Sequence, residues 1–279
     1  MSNYVRYRGE TGRAPSPKIF GDMAKLQHDS YLGKCIFLWD DFAVNAVHAT
    51  LQASGGYYTI QDTGVTVEGQ SAVSDLAKEL GVLEIIHDGT DNDEAYIQFG
   101  SGNMWRMANS AGNTGRCGFE MRLKTNTIAD DGLAFFAGLG SDRVAANYLV
   151  DNDGTIITTE SFVGFRRLQD DGDQLDIIFQ EASQTLQTVL ANANPSALVA
   201  NTYYNLGFLY NPNAPDAKQV SFYIDGVESN SYITRTQMDA VTFPEDIGLQ
   251  PMFLCKIGTA TAFTAQIDWV GAFQYLSDE

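Results

Sequence analysis

The chain of 279 residues carries 17 Lys and Arg against 35 Asp and Glu, a formal charge of -18. Affinity for nucleic acid comes largely from cations that displace counterions from phosphates, so this excess of acid excludes DNA or RNA as the partner. With 44% hydrophobic residues, and 16 Phe beside 13 Tyr, the composition fills a core and favours the pleated, half-buried surfaces on which aromatic side chains pack.

The charge is unevenly placed. Residues 1–34 hold six bases (Arg6, Arg8, Arg13, Lys18, Lys25, Lys34) against three acids (Glu10, Asp22, Asp29), leaving 11 bases and 32 acids for the rest. The first 33 residues are also broken by Gly9, Gly12, Pro15, Pro17, Gly21 and Gly33, and show no sustained helical or strand period. They read as an extended basic N-terminal arm. Such a terminus is ordered only when something ties it down. The expected tie is another protein surface, with Tyr4, Tyr7 and Phe20 as anchors between Arg6, Arg8, Arg13 and Lys18, since aromatic and Arg side chains dominate interface energies. The opening MSNYVRYRGE has no apolar stretch of the kind a secretory signal needs, and no run approaches the length that spans a bilayer. The expectation is synthesis in a reducing cytoplasm.

From Cys35 onward, short apolar runs alternate with turn signals: CIFLWDDF, YYTI, GVTVEG, GVLEIIHDG, EAYIQFG, GFEMRLKT, GLAFFAGLG, TIITTES, LDIIFQE, YYNLGFLY, VSFYIDG, PMFLCKIG and AQIDWVGAFQYL. One helix is expected, over Ser71–Leu80. Alternation such as Phe119-x-Met121-x-Leu123 buries one strand face and turns the other outward. The pattern predicts an all-β, antiparallel β-sandwich, with residues 1–33 as arm and 34–279 as sandwich. Asp225-Gly226 between two such runs is a tight hairpin turn.

Four pieces in order, CIFLWDDF (35–42), GFEMRLKTNTIADDGLAFFAGLG (118–140), YYNLGFLYNP with VSFYIDGVES (203–229), and FPEDIGLQPMF with AQIDWVGAF (243–273), carry a family likeness. The chain resembles the concanavalin A-like, laminin G-like jelly rolls, in the divergent form found among tailed-phage virion proteins. The likeness spans about residues 35–275 and rests on motifs that are mostly structural. It implies a virion protein, made in the host cytoplasm and placed on the capsid exterior as a decoration or cement protein. Its partners would be the major capsid protein and neighbouring copies of itself in a homo-trimer, held by the arm.

The residues offer little chemistry to set against that expectation. Retaining glycosidases need two carboxylates about 5 Å apart, and here Glu120, Asp225 and Asp268 each stand alone in sequence. Glu120, Arg122 and Lys124 share one strand face and read as a charge ladder within the sheet. Asp170-Asp171-Gly172-Asp173 resembles part of a calcium loop but lacks the later bidentate Glu, and with Asp91–Glu94 reads as a solvated turn. His28, His48 and His87 have no ligand partner at fixed spacing. Cys35, Cys117 and Cys255 are too few and too scattered for a disulfide framework or a zinc site and read as buried thiols. No catalytic residue, cofactor or metal is expected. Trp39, Trp105 and Trp269 sit in apolar runs and read as core. A lectin-like glycan-binding module is the second reading, and a polysaccharide hydrolase the third.

Overall fold

The computed structural model describes residues 14–42, 58–63, 65–69, 82–87, 89–99, 104–107, 115–130, 132–141, 159–168, 174–191 and 198–276. Two short helices come first, α1 (Pro17–Phe20) and α2 (Met23–Tyr31). The strands β1 (Cys35–Asp40), β2 (Tyr58–Thr63), β3 (Val65–Gly69), β4 (Leu83–His87), β5 (Glu94–Phe99), β6 (Cys117–Thr125), β7 (Leu133–Gly140) and β8 (Phe162–Arg167) follow. The chain continues through β9 (Asp176–Gln180), β10 (Gln187–Leu190), β11 (Tyr204–Tyr210), β12 (Val220–Ile224) and β13 (Val227–Ile233), a short helix α3 (Arg235–Met238), β14 (Gln250–Ile257) and β15 (Thr264–Tyr275).

The strands form two antiparallel sheets. Sheet A runs β13-β12-β11-β6-β15-β4-β3, with β1 also paired to β15, and sheet B runs β10-β9-β8-β7-β14-β5-β2. Inward positions of both sheets, among them Phe119, Met121, Leu123, Phe208, Phe222, Ile267, Phe135, Phe165, Ile177 and Phe253, make one buried cluster. Removing this much apolar surface from water is the main favourable term in folding. The expected antiparallel sandwich is therefore what the sequence forms.

Several local readings are met. Asp225 (φ 50°) and Gly226 (φ 73°) both adopt the left-handed region, which a two-residue turn with both central φ positive requires and an Asp-Gly pair accommodates. The three cysteines are buried and form no disulfide. Trp105 and Trp269 are almost wholly buried. The helix expected over Ser71–Leu80 and the acidic turn Asp170–Asp173 lie outside the described residues, as does His48.

The arm differs from expectation in its described part. Residues 14–33 are not extended: α1 and α2 lie on the outer face of sheet A, and Ile19, Phe20 and Leu26 are buried there with Cys35, Tyr223, Phe273 and Tyr275. The local cause is capping. Pro17 fits the first helical turn after Ser16, and the Asp22 carboxylate accepts from the Ala24 and Lys25 N–H groups to start α2. Gly21 and Gly33, read as breakers, are the positive-φ residues that close each helix.

Candidate functional site

The outward face of sheet A carries the polar groups that the strand alternation exposes. Backbone register sets Gly207 of β11 opposite Glu120 of β6, and Glu120 opposite Gly271 of β15. Tyr223 of β12 extends this row on one side and Trp39 of β1 on the other. Glu120 is thus flanked by glycine on both sides, in a row that continues through Tyr223 to Glu228 of β13.

Those glycines make room for α1. A Cβ on Gly207 would lie 2.6 Å from Ile19 Cδ1, and one on Gly271 would lie 2.9 Å from Phe20 Cζ and 2.7 Å from Trp39 Cε3. Gly118, on the same face, would meet Ile19 Cγ2 at 3.0 Å and the Phe273 ring more closely still. Phe20 packs edge-on to Trp39 at 6.0 Å and tilted against Phe273 at 5.7 Å. Trp39 in turn stacks on Trp269 at 4.8 Å.

Helix α1 brings Ser16 over Glu120. The Ser16 backbone N–H donates to Glu120 Oε2 at 2.8 Å, and the Ser16 hydroxyl makes a short hydrogen bond to Oε1. Glu120 is fully shielded from solvent. Burial raises its carboxyl to about pH 7, helped by the nearby Asp225 charge, while the two Ser16 hydrogen bonds pull the other way. A second tie holds α2: the Tyr275 hydroxyl donates to Asp29 Oδ2 at 3.1 Å, and Lys25 Nζ lies 3.6 Å from the same oxygen. The Cys35 thiol donates to the Leu26 carbonyl at 3.4 Å.

Beside the covered row, a cleft of about 400 Å³ opens between Ala14–Pro17, Arg122, Tyr203, Asn205 and the Asp225-Gly226 turn. Arg122 Nη1 is 2.5 Å from Asp268 Oδ2, and the guanidinium lies 4.1 Å from the Tyr203 ring centroid. Lys124 Nζ lies 4.4 Å from the same ring. The Asn205 N–H donates to Asp225 Oδ1 at 2.8 Å, and burial raises the Asp225 carboxyl even so. Of the three charged residues of β6, Arg122 forms a charge pair within the sheet, across to Asp268 of β15. Glu120 meets Ser16, Arg122 meets Asp268, and Lys124 meets Tyr203.

Among the expected partner-binding residues, Lys18 is exposed on α1 and Phe20 is buried within its own chain. The Phe20 side chain is thus an anchor onto sheet A, which corrects its reading as a contact for another protein. Tyr4, Arg6, Tyr7, Arg8 and Arg13 lie outside the described residues. Glu120 and Asp225 do share one region, yet Ser16 occupies both carboxylate oxygens of Glu120. Ser16, Tyr203, Asn205, Gly207 and Gly271 went unnoticed in the sequence. The only available signal was Ser16-Pro17, a helix-start pair.

Elsewhere, His87 Nε2 is 3.2 Å from Cys255 Sγ between the sheets. Burial drives the Cys255 and Cys117 thiols far above the ordinary range, which removes the thiolate that nucleophilic chemistry requires. Among the described residues no group of His, Cys, Asp or Glu is arranged to hold a metal ion, and no helix is long and apolar enough to cross a membrane.

No family model matches the sequence, and no curated protein does. Solved structures do resemble the fold. A protein of unknown function from Shewanella oneidensis MR-1 matches at TM-score 0.53 and 17% identity, over 90% of this chain and 94% of that one. The carbohydrate recognition domain of Emp47p matches at TM-score 0.54 and 12% identity, over 87% of this chain and 98% of the other. The transglycosylase Crh5 without ligand matches at TM-score 0.51 and 13% identity, over 85% and 83%. At such identities the likeness is one of fold. The chain is a two-sheet jelly roll of the lectin type, a scaffold shared by sugar-binding and carbohydrate-processing proteins.

Proposed function

We propose that this chain is a non-catalytic structural module: the decoration or cement protein of a tailed-phage head, bound on the capsid exterior to the major capsid protein and to neighbouring copies as a homo-trimer. The observation that carries the non-catalytic reading is the Ser16–Glu120 contact. Glu120, a fully buried carboxylate of sheet A, is occupied by the chain's own N-terminal segment, which keeps it from acting on a substrate as the acid or nucleophile of glycoside hydrolysis. A rigid body with 32 acids beyond residue 34 and a basic leader before Ala14 suits attachment by charge complementarity. The phage setting rests on the motif likeness.

The test follows from the fold. Residues 14–33 belong to the sandwich, so the attachment residues are sought upstream, in Tyr4, Arg6, Tyr7, Arg8 and Arg13. A chain lacking residues 1–13 keeps Ser16 and Phe20 in place and is expected to lose decoration of purified capsids. Undiminished decoration overturns the reading.

The 400 Å³ cleft favours a second reading. Tyr203, Asn205 and Asp225 offer a ring and hydrogen-bonding groups in a concave setting of the size that small ligands use. A glycan-binding module of a tail or fibre would retain an oligosaccharide on an array and lose it with Tyr203→Ala. The Tyr203 ring, however, already has Arg122 and Lys124 as cationic neighbours, which leaves less of it for stacking on a sugar.

A further inference from the structure

The covered face of sheet A has the construction of a fastening. Three glycines on adjacent strands clear a floor for Ile19 and Phe20, so the apolar grip is built into the sheet and not only into the helices. At the edge of that grip, the Glu120 carboxylate is capped by two donors from Ser16, 104 positions earlier in sequence.

The charged and titratable groups around Glu120 are few. Asp225 and Tyr223 stand on the hairpin side, and Arg122, on the same strand, is held by Asp268. Helix α1 presents Ser16 to the carboxyl and keeps Lys18 in solvent. Among the described residues no cation bonds to Glu120, and the acid is shielded by the segment that rests on it.

We propose that residues 14–31 are a strap whose hold on sheet A is coupled to a proton on Glu120, tightest in acid and progressively looser as the pH climbs to neutrality.

The direction follows from linkage. With the strap lifted, Glu120 stands on an open sheet face with an ordinary carboxyl near 4.5. With the strap docked, the value is about 7. Docking therefore favours the protonated form. The hold is greatest below the lower value, declines as pH climbs between the two, and is constant above the higher. Each unit of difference is a factor of ten, so the docking equilibrium falls on the order of a hundredfold across that window. Two donors from Ser16 keep the ionised form from being ejected outright, so the strap loosens and the sandwich stays folded.

The experiment is amide hydrogen exchange on the full chain between pH 5 and 8, expressed as protection relative to intrinsic rates, with β6 and β15 amides as internal reference. Protection of residues 19–31 is expected to fall on the order of a hundredfold as pH rises, without a matching fall in the reference strands. Glu120→Gln, which keeps the shape but cannot ionise, is expected to abolish that pH dependence. Constant protection of the wild-type strap across the range, or the same dependence in Glu120→Gln, overturns the proposal. Should Glu120→Gln fail to fold, Ser16→Ala serves instead. Losing the hydroxyl that favours the ionised form raises the docked value further and moves the loosening to higher pH, and an unmoved profile refutes the coupling.

Discussion

Arg122 and Asp268 meet at 2.5 Å on neighbouring strands, although neither is placed to do so by simple alternation. The register between β6 and β15 shifts between Ile267 and Trp269, so that Trp269 and not Asp268 pairs with Arg122. The bulge keeps Ile267 and Val270 in the core and frees Asp268 to reach the guanidinium.

The first prediction concerns this pair. Both side chains are less than a tenth exposed, so removing one leaves a buried, uncompensated charge. Asp268→Ala is expected to cost about 3–5 kcal/mol, read as a lowered denaturant midpoint at unchanged slope. The double variant Arg122→Met with Asp268→Ala should recover most of that loss, because no lone charge then remains. A double variant as unstable as the single one would show that the bulge geometry, and not charge burial, sets the cost.

The floor under α1 gives the second. Phe20→Ala empties a site enclosed by Trp39 and Phe273 and should cost about 3–5 kcal/mol of whatever holds the helices down. Gly271→Ala acts from the opposite side, forcing a methyl against Trp39 and Phe20, at a cost of about 1–3 kcal/mol. Both changes should remove exchange protection from α1 and α2 while sheet B keeps its own. Equal loss in both sheets would mean that the helices are part of the sandwich's single cooperative unit.

The buried thiols supply the third. Cys35, Cys117 and Cys255 are all enclosed, and burial holds Cys117 and Cys255 in the protonated, unreactive form. Ellman's reagent at pH 8 should find essentially no thiol in the folded protein and all three after denaturation. Rapid native labelling of Cys255 would contradict its place between the sheets beside His87.

The hairpin turn supplies the fourth. Gly226 holds a positive φ and sits 3.3 Å, measured from an added Cβ, from the Ser16 hydroxyl. Gly226→Ala should destabilise by about 1 kcal/mol from backbone strain, while Gly226→Asn, whose side chain tolerates that conformation, should be milder. A calorimetric midpoint separates the two. Identical effects would assign the loss to the Ser16 contact and not to backbone conformation.

The sandwich was legible because its strands obey a two-residue period and end at Gly, Asp and Asn. Phe119, Met121 and Leu123 announce an inward face whatever lies opposite. The strand β10 was not legible, since QTVL is short, half-buried and at a sheet edge, where no alternation is imposed. Helices α1 and α2 were hidden for a different reason. With four and nine residues they are too short to display a period, and their stability comes from the sheet they cover. The site suffered most. β6 declares that Glu120, Arg122 and Lys124 face outward, but their partners lie on three other segments, and a sequence carries no signal for a contact 104 residues away.

Ala14 reaches the described body at one corner, where its carbonyl accepts from the Asn205 side-chain amide at 3.4 Å, close to the hairpin tip. Whatever precedes Ala14 joins the described body at that corner, next to the Arg122 cleft. A peptide meant for display should be joined there only if crowding of that recess is acceptable, and a graft that pulls on the chain would draw first on Ser16.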